Sequence, residues 1–395
     1  MNPLRGGAAP SVIAALLAVA CAGAPSGEAP LELRNLMKRE VVLPAPAPVA
    51  SADGAIRARV AGRLVGAFER TPDHTWFGEF DIGAHAPVKC QVFEQAKDPA
   101  SALIELSESL FTGTGRTRKV ESREILTVDV GNAGPYPYLS FDWVAKIDGL
   151  TYQIKQKLAT RGDRSLYCVH DESGYASAFE QFFAGFLTSL EIEEGAPTIY
   201  REVVVLSIAG HQVGYNATRV TRDADGDYRT DTQGAMLIPT GSDEAMASDD
   251  QSVEFSRPDG SVINQVWLSS DGRDLTRLDL DRSGGAWKVT GQMQGKAVSE
   301  HFEGNLTSAV DETRRILRVA RGEIGEQRYL RWLGTLSPGK PLAHVMTKTG
   351  ASTVRVAAGP VKVDLEVDER GATRGSMHMG RLEIATERVY VDGSL

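Results

Sequence analysis

What most limits the fold open to this chain is the repeated pairing of a two-residue apolar period with Asp-Gly turns. Phe141, Trp143, Ala145 and Ile147 recur at every second position, Asp148-Gly149 follows, and Tyr152, Ile154 and Leu158 resume the apolar pattern. A period of two puts successive side chains on opposite faces of a strand, and Asp-Gly accepts the left-handed backbone that a tight hairpin turn needs. The same punctuation returns at Asp225-Gly226, Asp259-Gly260 and Asp271-Gly272. Near the end, Val361, Val363, Leu365 and Val367 alternate with Lys362, Asp364, Glu366 and Asp368. The pattern predicts antiparallel sheet with one face in a core and one in water. Glu202–Ile208 is different, an almost unbroken apolar run suited to a strand covered on both faces.

Three stretches switch to a helical period. Asp98 and Pro99 form a start signal, Leu103, Leu106 and Leu110 repeat at helical spacing, and Gly113 ends the pattern. Between Gly174 and Leu190 the residues Tyr175, Phe179, Phe182 or Phe183, Phe186 and Leu190 share one face. That aromatic stripe is core that packs on a sheet. The third begins with the capping box Ser308-Ala309-Val310-Asp311 and carries Val310, Leu317, Ala320 and Ile324 on one side. Its other side holds Arg314, Arg318 and Arg321, with Arg315 adjacent. This strip is a candidate surface for anionic head groups or an acidic partner, and a plain solvated helix face is the other reading.

The 395 residues divide into a signal peptide (1–20), a Pro- and Ala-rich tether (21–54), a first domain (55–195) and a second (196–395). Arg5, a short apolar run and small residues before Cys21 make the signal, because a membrane-spanning helix needs about 20 apolar residues. Pro44, Pro46 and Pro48 favour an extended spacer. At Ala18-Val19-Ala20-Cys21 the chain resembles the lipobox of bacterial lipoproteins. The resemblance implies that Cys21 is lipidated, that the lipid anchors the chain to a membrane, and, through Ala22, that it lies on the periplasmic face of the outer membrane. Ordinary secretory cleavage fits the same small residues. With Cys21 taken, Cys90 and Cys168 remain as an even pair in an oxidising compartment. A bridge between them closes a loop of roughly 80 residues and stabilises by about 4 kcal/mol, and two buried thiols are the alternative.

The order of strands and helices up to Phe186-Leu187-Thr188-Ser189-Leu190 resembles the PsbP/Mog1-like group, which implies an α-β-α sandwich and an accessory or docking role. The stretch Ile208-Ala209-Gly210-His211-Gln212-Val213-Gly214-Tyr215 resembles the opening hairpin of periplasmic proteins with a lipoprotein-carrier-like β half-barrel. Asp368-Glu369-Arg370-Gly371, ahead of Met377-His378-Met379-Gly380-Arg381-Leu382, is similar to their closing strands. The expected fold class is therefore α+β: an N-terminal α-β-α sandwich followed by a mainly antiparallel β half-barrel. The second resemblance implies an acyl ligand on the concave side. Met236, Leu237, Trp267, Trp287, Met346, Met377 and Met379 are the candidate lining, with core packing as the alternative for each.

A net charge of −9 argues against nucleic-acid binding. The cluster Asp223-Ala224-Asp225-Gly226-Asp227 with Asp231 departs from a calcium loop, because Tyr228 takes the place of the glycine and Gly234 that of the bidentate Glu. The 7 His residues are scattered without ligand spacing, and no nucleophile elbow, phosphate loop or dinucleotide fingerprint occurs. No metal, cofactor or catalytic residue is expected. The reading is a non-catalytic envelope lipoprotein that binds an apolar ligand, such as an acyl chain, or a partner segment. A scaffold lipoprotein without ligand and a hydrolase built from dispersed residues are the competing classes. Replacing Cys21 with Ser is expected to move the protein from the membrane to the soluble fraction, and unchanged membrane association on fractionation contradicts the anchor.

Overall fold

The structure, a computed structural model, describes residues 29–114, 119–192, 195–271, 274–334, 337, 339–359, 361–379 and 382–395. The expected signal peptide and Cys21 lie outside these residues, and so does Gly272. Four α-helices are described: α1 (Leu31–Arg34), α2 (Pro99–Thr114), α3 (Ala176–Ser189) and α4 (Ala309–Arg321), with a short 3-10 turn at Leu36–Lys38. A short ribbon pairs β1 (Ala47–Ala50) with β2 (Arg57–Val60).

The first large sheet is antiparallel and has seven strands. Its order is β3 (Arg63–Arg70), β4 (Thr75–Asp81), β5 (Val88–Phe93), β9 (Arg164–His170), β8 (Leu150–Arg161), β7 (Tyr136–Ile147) and β6 (Val120–Ala133). The hairpin over Asp148-Gly149 joins β7 to β8, with Asp148 in the left-handed region at φ 52°. Cys90 and Cys168 are direct register partners on β5 and β9 and are bridged. The aromatic stripe of α3 lies over this face: Phe179, Phe182, Phe183 and Phe186 are fully buried against Phe68, Phe80, Val88 and Tyr138.

The other face corrects the expected fold class. Strands make up 58% and helices 14% of the structure, so the chain is mostly β rather than α+β, and its N-terminal part is not an α-β-α sandwich. The physical reason lies in the second layer. The core formed by Phe141, Trp143, Ile154 and Leu158 is covered by α2 together with Val205, Tyr215, Ala235, Leu237 and Ala247 from the second large sheet. Part of that layer is strand, and the two domains share one core. The run Glu202–Ile208, expected to be buried on both faces, is covered fully on one: Val203 and Val205 are buried, while Glu202, Val204 and Leu206 on the other side are half-buried.

The second sheet has fourteen antiparallel strands. In chain order they are β10 (Thr198–Ile208), β11 (His211–Arg222), β12 (Tyr228–Pro239), β13 (Ala245–Ser256), β14 (Val262–Asp271), β15 (Asp274–Ser283), β16 (Ala286–Met293), β17 (Lys296–Phe302), β18 (Gln327–Arg331), β19 (Leu342–Lys348), β20 (Thr353–Ala358), β21 (Val361–Asp368), β22 (Gly371–Met379) and β23 (Leu382–Gly393). In space the sheet runs from β17 down to β10, then from β23 down to β18. Strands β13 and β18 stand nine spacings apart in this order, which is roughly 43 Å in a flat sheet. Arg331 on β18 nevertheless approaches Glu254 on β13 to 3.9 Å. The sheet is therefore curled, and short bridges from Ser261 to Thr307 and from Leu306 to Leu330 join the two sides of the curl. Helix α4 lies inside it, with Leu317, Val319 and Ala320 packed on Tyr329, Met346, Val354 and Val367.

The N-terminal segment is docked from Leu33 onward instead of hanging free. Leu33 is buried, and Val41, Leu43 and Val49 pack against the first core. Glu40 ends at the N-terminus of α3, accepting from the backbone N–H of Ser177 at 3.0 Å and of Ala178 at 3.2 Å. Helix α2 is held in the same way from the opposite direction. Asp249 on β13 accepts from the N–H groups of Ala100 and Ser101, each at 2.8 Å. Asp98, the cap expected from sequence, instead accepts from Gln251 Nε2 at 3.2 Å. Asp249→Ala is expected to cost about 1–3 kcal/mol in urea unfolding, since it removes a cap and leaves two buried N–H groups unmet. Amide exchange should rise first at residues 99–103.

Candidate functional site

The curl leaves a polar cavity of about 290 Å³ between the inner face of the sheet and α4. Its wall follows from strand alternation. On β10 to β13 the odd-numbered residues 205, 215, 235 and 247 face the first domain, so the even-numbered ones turn inward. Register lines these inward residues up in rows. Glu202, Thr218, Thr232, Ser252 and Trp267 are successive cross-strand neighbours. Beside them run Asn216, Gly234 and Asp250, and on the other side Val220, Thr230, Glu254 and Gln265. Ala309, Val310, Glu312 and Thr313 of α4 close the far side, with Arg331, Leu333 and Gly334.

A buried charge network holds α4 in place. Arg331 donates to Glu312 at 3.0 Å, and Tyr329 Oη donates to the same carboxylate at 2.7 Å. Glu254 accepts from Ala309 N at 2.8 Å, at the start of α4, where Ser308 Oγ also accepts from Asp311 N at 3.1 Å. Burial opposes the charge on Glu312, but the Arg331 guanidinium and the hydrogen bonds outweigh it and hold the carboxyl at about 2. Burial wins at Glu254, which is pushed above the usual range although Arg331 and the Ala309 N–H act against it.

The groups facing the cavity are less satisfied. Asp250 is pushed up to about 6 by burial alone. Its carboxylate lies over Gly234, where a Cβ would stand 2.4 Å from Asp250 Oδ1, so any side chain at that point of β12 displaces the carboxylate. Thr230 is 2% exposed and its Oγ1 has no hydrogen-bond partner within the protein. Glu202 is raised by burial, against the hydrogen bond it accepts from Tyr200 Oη at 2.7 Å. At the rim, Gly334 lies against the indole of Trp267, leaving no room for a side chain.

The lining expected from sequence is not gathered here. Trp267 lies on the cavity wall but packs with Trp287 in a core around Leu278, Leu280 and Trp332. Met346 belongs to the core under α4, and Met236 and Met377 pack with Ile208, Ile238 and Ile384. Leu237 faces the first domain. The side chain of Met379 lies outside the described residues. Large apolar residues in curled strands were spent on four separate cores, while threonines, an asparagine and carboxylates line the space between. Each of these strands carries polar residues at inward positions, but only register reveals that Glu202, Thr218 and Thr232, on three different strands, form one surface.

The arginine strip on α4 is partly engaged. Arg314 donates to Tyr228 Oη at 2.9 Å and to Pro258 O at 3.3 Å. Arg315 pairs with Asp311 at 2.6 Å. Arg318 and Arg321 each come within 3.7 Å of Glu323 and remain half exposed. The Asp223 cluster is a turn, with Asp223 Oδ1 accepting from the N–H groups of Asp225 and Asp227. Among the described residues no group of His, Cys, Asp and Glu is arranged to hold a metal, and no helix is long and apolar enough to cross a membrane.

No family model matches the chain, and no curated protein matches its sequence. A solved structure of a β-barrel-like protein, a domain of unknown function (DUF1849) from Brucella abortus, aligns with 50% of this chain and 98% of its own at 12% identity and a TM-score of 0.39.

The two kinds of carboxylate give opposite pH responses. Glu312, lowered from 4.5 to about 2, contributes stability that is present above about pH 4.5 and is lost as pH falls through about 2. Asp250, raised from 3.8 to about 6, favours the folded state when protonated, so its contribution is lost as pH rises through about 6. Urea unfolding is expected to show Glu312→Gln costing about 3–5 kcal/mol at neutral pH, because Arg331 is left buried with one carboxylate fewer. Asp250→Asn should flatten the loss of stability between about pH 4 and 6, and an unchanged slope contradicts the assignment.

Proposed function

We propose that this chain is a non-catalytic binding protein of the cell envelope, held at a membrane through Cys21, whose second domain receives a small ligand in the cavity behind α4. The observation that carries the reading is the pair Thr230 and Asp250. Buried polar groups in folded proteins are nearly always hydrogen-bonded. Here Thr230 Oγ1 is buried without a protein partner, and Asp250, half-buried on the same concave face, makes no hydrogen bond among the described residues, in a wall otherwise well ordered by register and by the capped α4. A few convergent polar groups in a concave site are the usual makings of ligand recognition.

An acyl chain, the ligand implied by the half-barrel resemblance, gains less support from this geometry. The large apolar residues that would line its path pack against one another, and a hydrocarbon would bury carboxylates and hydroxyls without bonds. The envelope location rests on the lipobox resemblance and on the Cys90–Cys168 bridge, which suits an oxidising compartment. Native mass spectrometry on protein released gently from its own membranes tests the reading. A retained small-molecule mass is expected, and it should vanish in Thr232→Trp, which fills the cavity. A protein-only mass under every mild condition overturns the proposal in favour of a scaffold without ligand.

A further inference from the structure

Resting on the reading that the cavity binds a ligand, we propose that the ligand is a small protonated amine whose ammonium group sits on Asp250. Four observations lead there. The first is charge balance: Glu202, Asp250 and Glu312 line the space, and the sole guanidinium among the described lining residues, Arg331, is already engaged by Glu312 and Glu254. An anion entering this space meets a surplus of carboxylates, and a neutral ligand leaves the surplus uncompensated. The second is that burial holds both Asp250 and Glu202 above the usual carboxylate range. A cation within contact distance reverses that effect and restores the charged forms.

The third observation is the shape of the acceptor set. Thr218, Thr232 and Ser252 form a row of hydroxyls between Glu202 and Trp267. Together with Asp250 they offer acceptors to an ammonium with three N–H donors. Trp267 adds an aromatic surface, which attracts cations through its ring. The fourth is size. A volume of about 290 Å³ lies at the lower end of small-molecule pockets, which run from about 300 to 1,000 Å³. That suits a compact amine better than a long lipid or peptide held within it.

Gly234 then acquires a role as a positioning residue, because a methyl group there collides with Asp250 Oδ1. The test is isothermal titration of the whole chain with putrescine and tyramine, against their neutral counterparts 1,4-butanediol and tyrosol, and against succinate. At least one amine is expected to bind roughly tenfold or more tightly than its alcohol, with no binding of succinate. Asp250→Asn should weaken the amine roughly 10- to 100-fold, the loss expected for one charge-assisted contact, and leave the alcohol unchanged. Gly234→Ala should do the same with the carboxylate still present. Circular dichroism of both variants separates a displaced anchor from a misfolded sheet, and the titration counts only for variants with the parent spectrum. Equal affinity for amine and alcohol, or full amine binding by a folded Asp250→Asn variant, overturns the amine proposal and leaves the binding-protein reading standing. If neither amine binds, the amine proposal also fails. The native mass then decides the wider reading: a retained non-amine mass preserves it, and a protein-only mass removes both.

Discussion

The architecture depends on one repeated interaction, a carboxylate that caps a helix from far away in sequence. Glu40 holds the first N–H groups of α3, Asp249 those of α2, and Glu254 the first of α4. The first turn of a helix presents unpaired donors and a partial positive charge, so an acceptor anion is favoured there whatever its place in the chain. In this protein each such contact joins two layers. Glu40 fastens the N-terminal segment to the first domain, Asp249 fastens the second domain to the first, and Glu254 fastens the helix to the curled sheet that surrounds it. The contacts thereby convert local helix geometry into the arrangement of the whole chain.

Asp249 and Asp250 show how the alternation of a strand divides labour between neighbours. Asp249 points to the first domain and finishes a helix, with burial raising it to about 6 against the N–H groups it accepts. Asp250, one residue on, points into the curl and has no such donors. Strand β13 is thus at once part of the joint between domains and part of the cavity wall. Movement of this strand would be felt on both sides, since nothing but a single layer of backbone separates them.

A curled sheet of this width must fill its concave side, and the filling is uneven. Aromatic residues fill the part around Trp267 and Trp287, α4 with Met346 fills the part over β18 to β21, a methionine and isoleucine cluster lies on the central strands, and the remaining space is polar. Glu312 and Arg331 let α4 lie there with its charged residues inward, because each neutralises the other and Tyr329 adds a further donor. Breaking such a pair costs more than making it gains. Its presence therefore points to specificity of placement rather than to bulk stability. Of the two readings given for the large apolar residues, ligand lining and core packing, the structure shows Leu237, Trp287, Met346, Met236 and Met377 packed in cores.

Much of the local structure was legible in the residues. The aromatic spacing from Phe179 to Phe186 specifies a buried helix face because 3.6 residues per turn admit no other arrangement, and the Asp148-Gly149 hairpin and the Ser308 cap are equally local. The sequence by itself determined strands, turns and helix starts, since these depend on neighbours within about one or two turns of chain. Tertiary structure alone decided that part of the layer over Phe141 and Trp143 is strand, that the Asp249 side chain rather than that of Asp98 caps α2, and that Glu202, Thr218, Thr232 and Asp250 share one cavity. Those outcomes depend on cross-strand register and on the curvature of the sheet. Both are set by contacts between residues many positions apart, which no local pattern records.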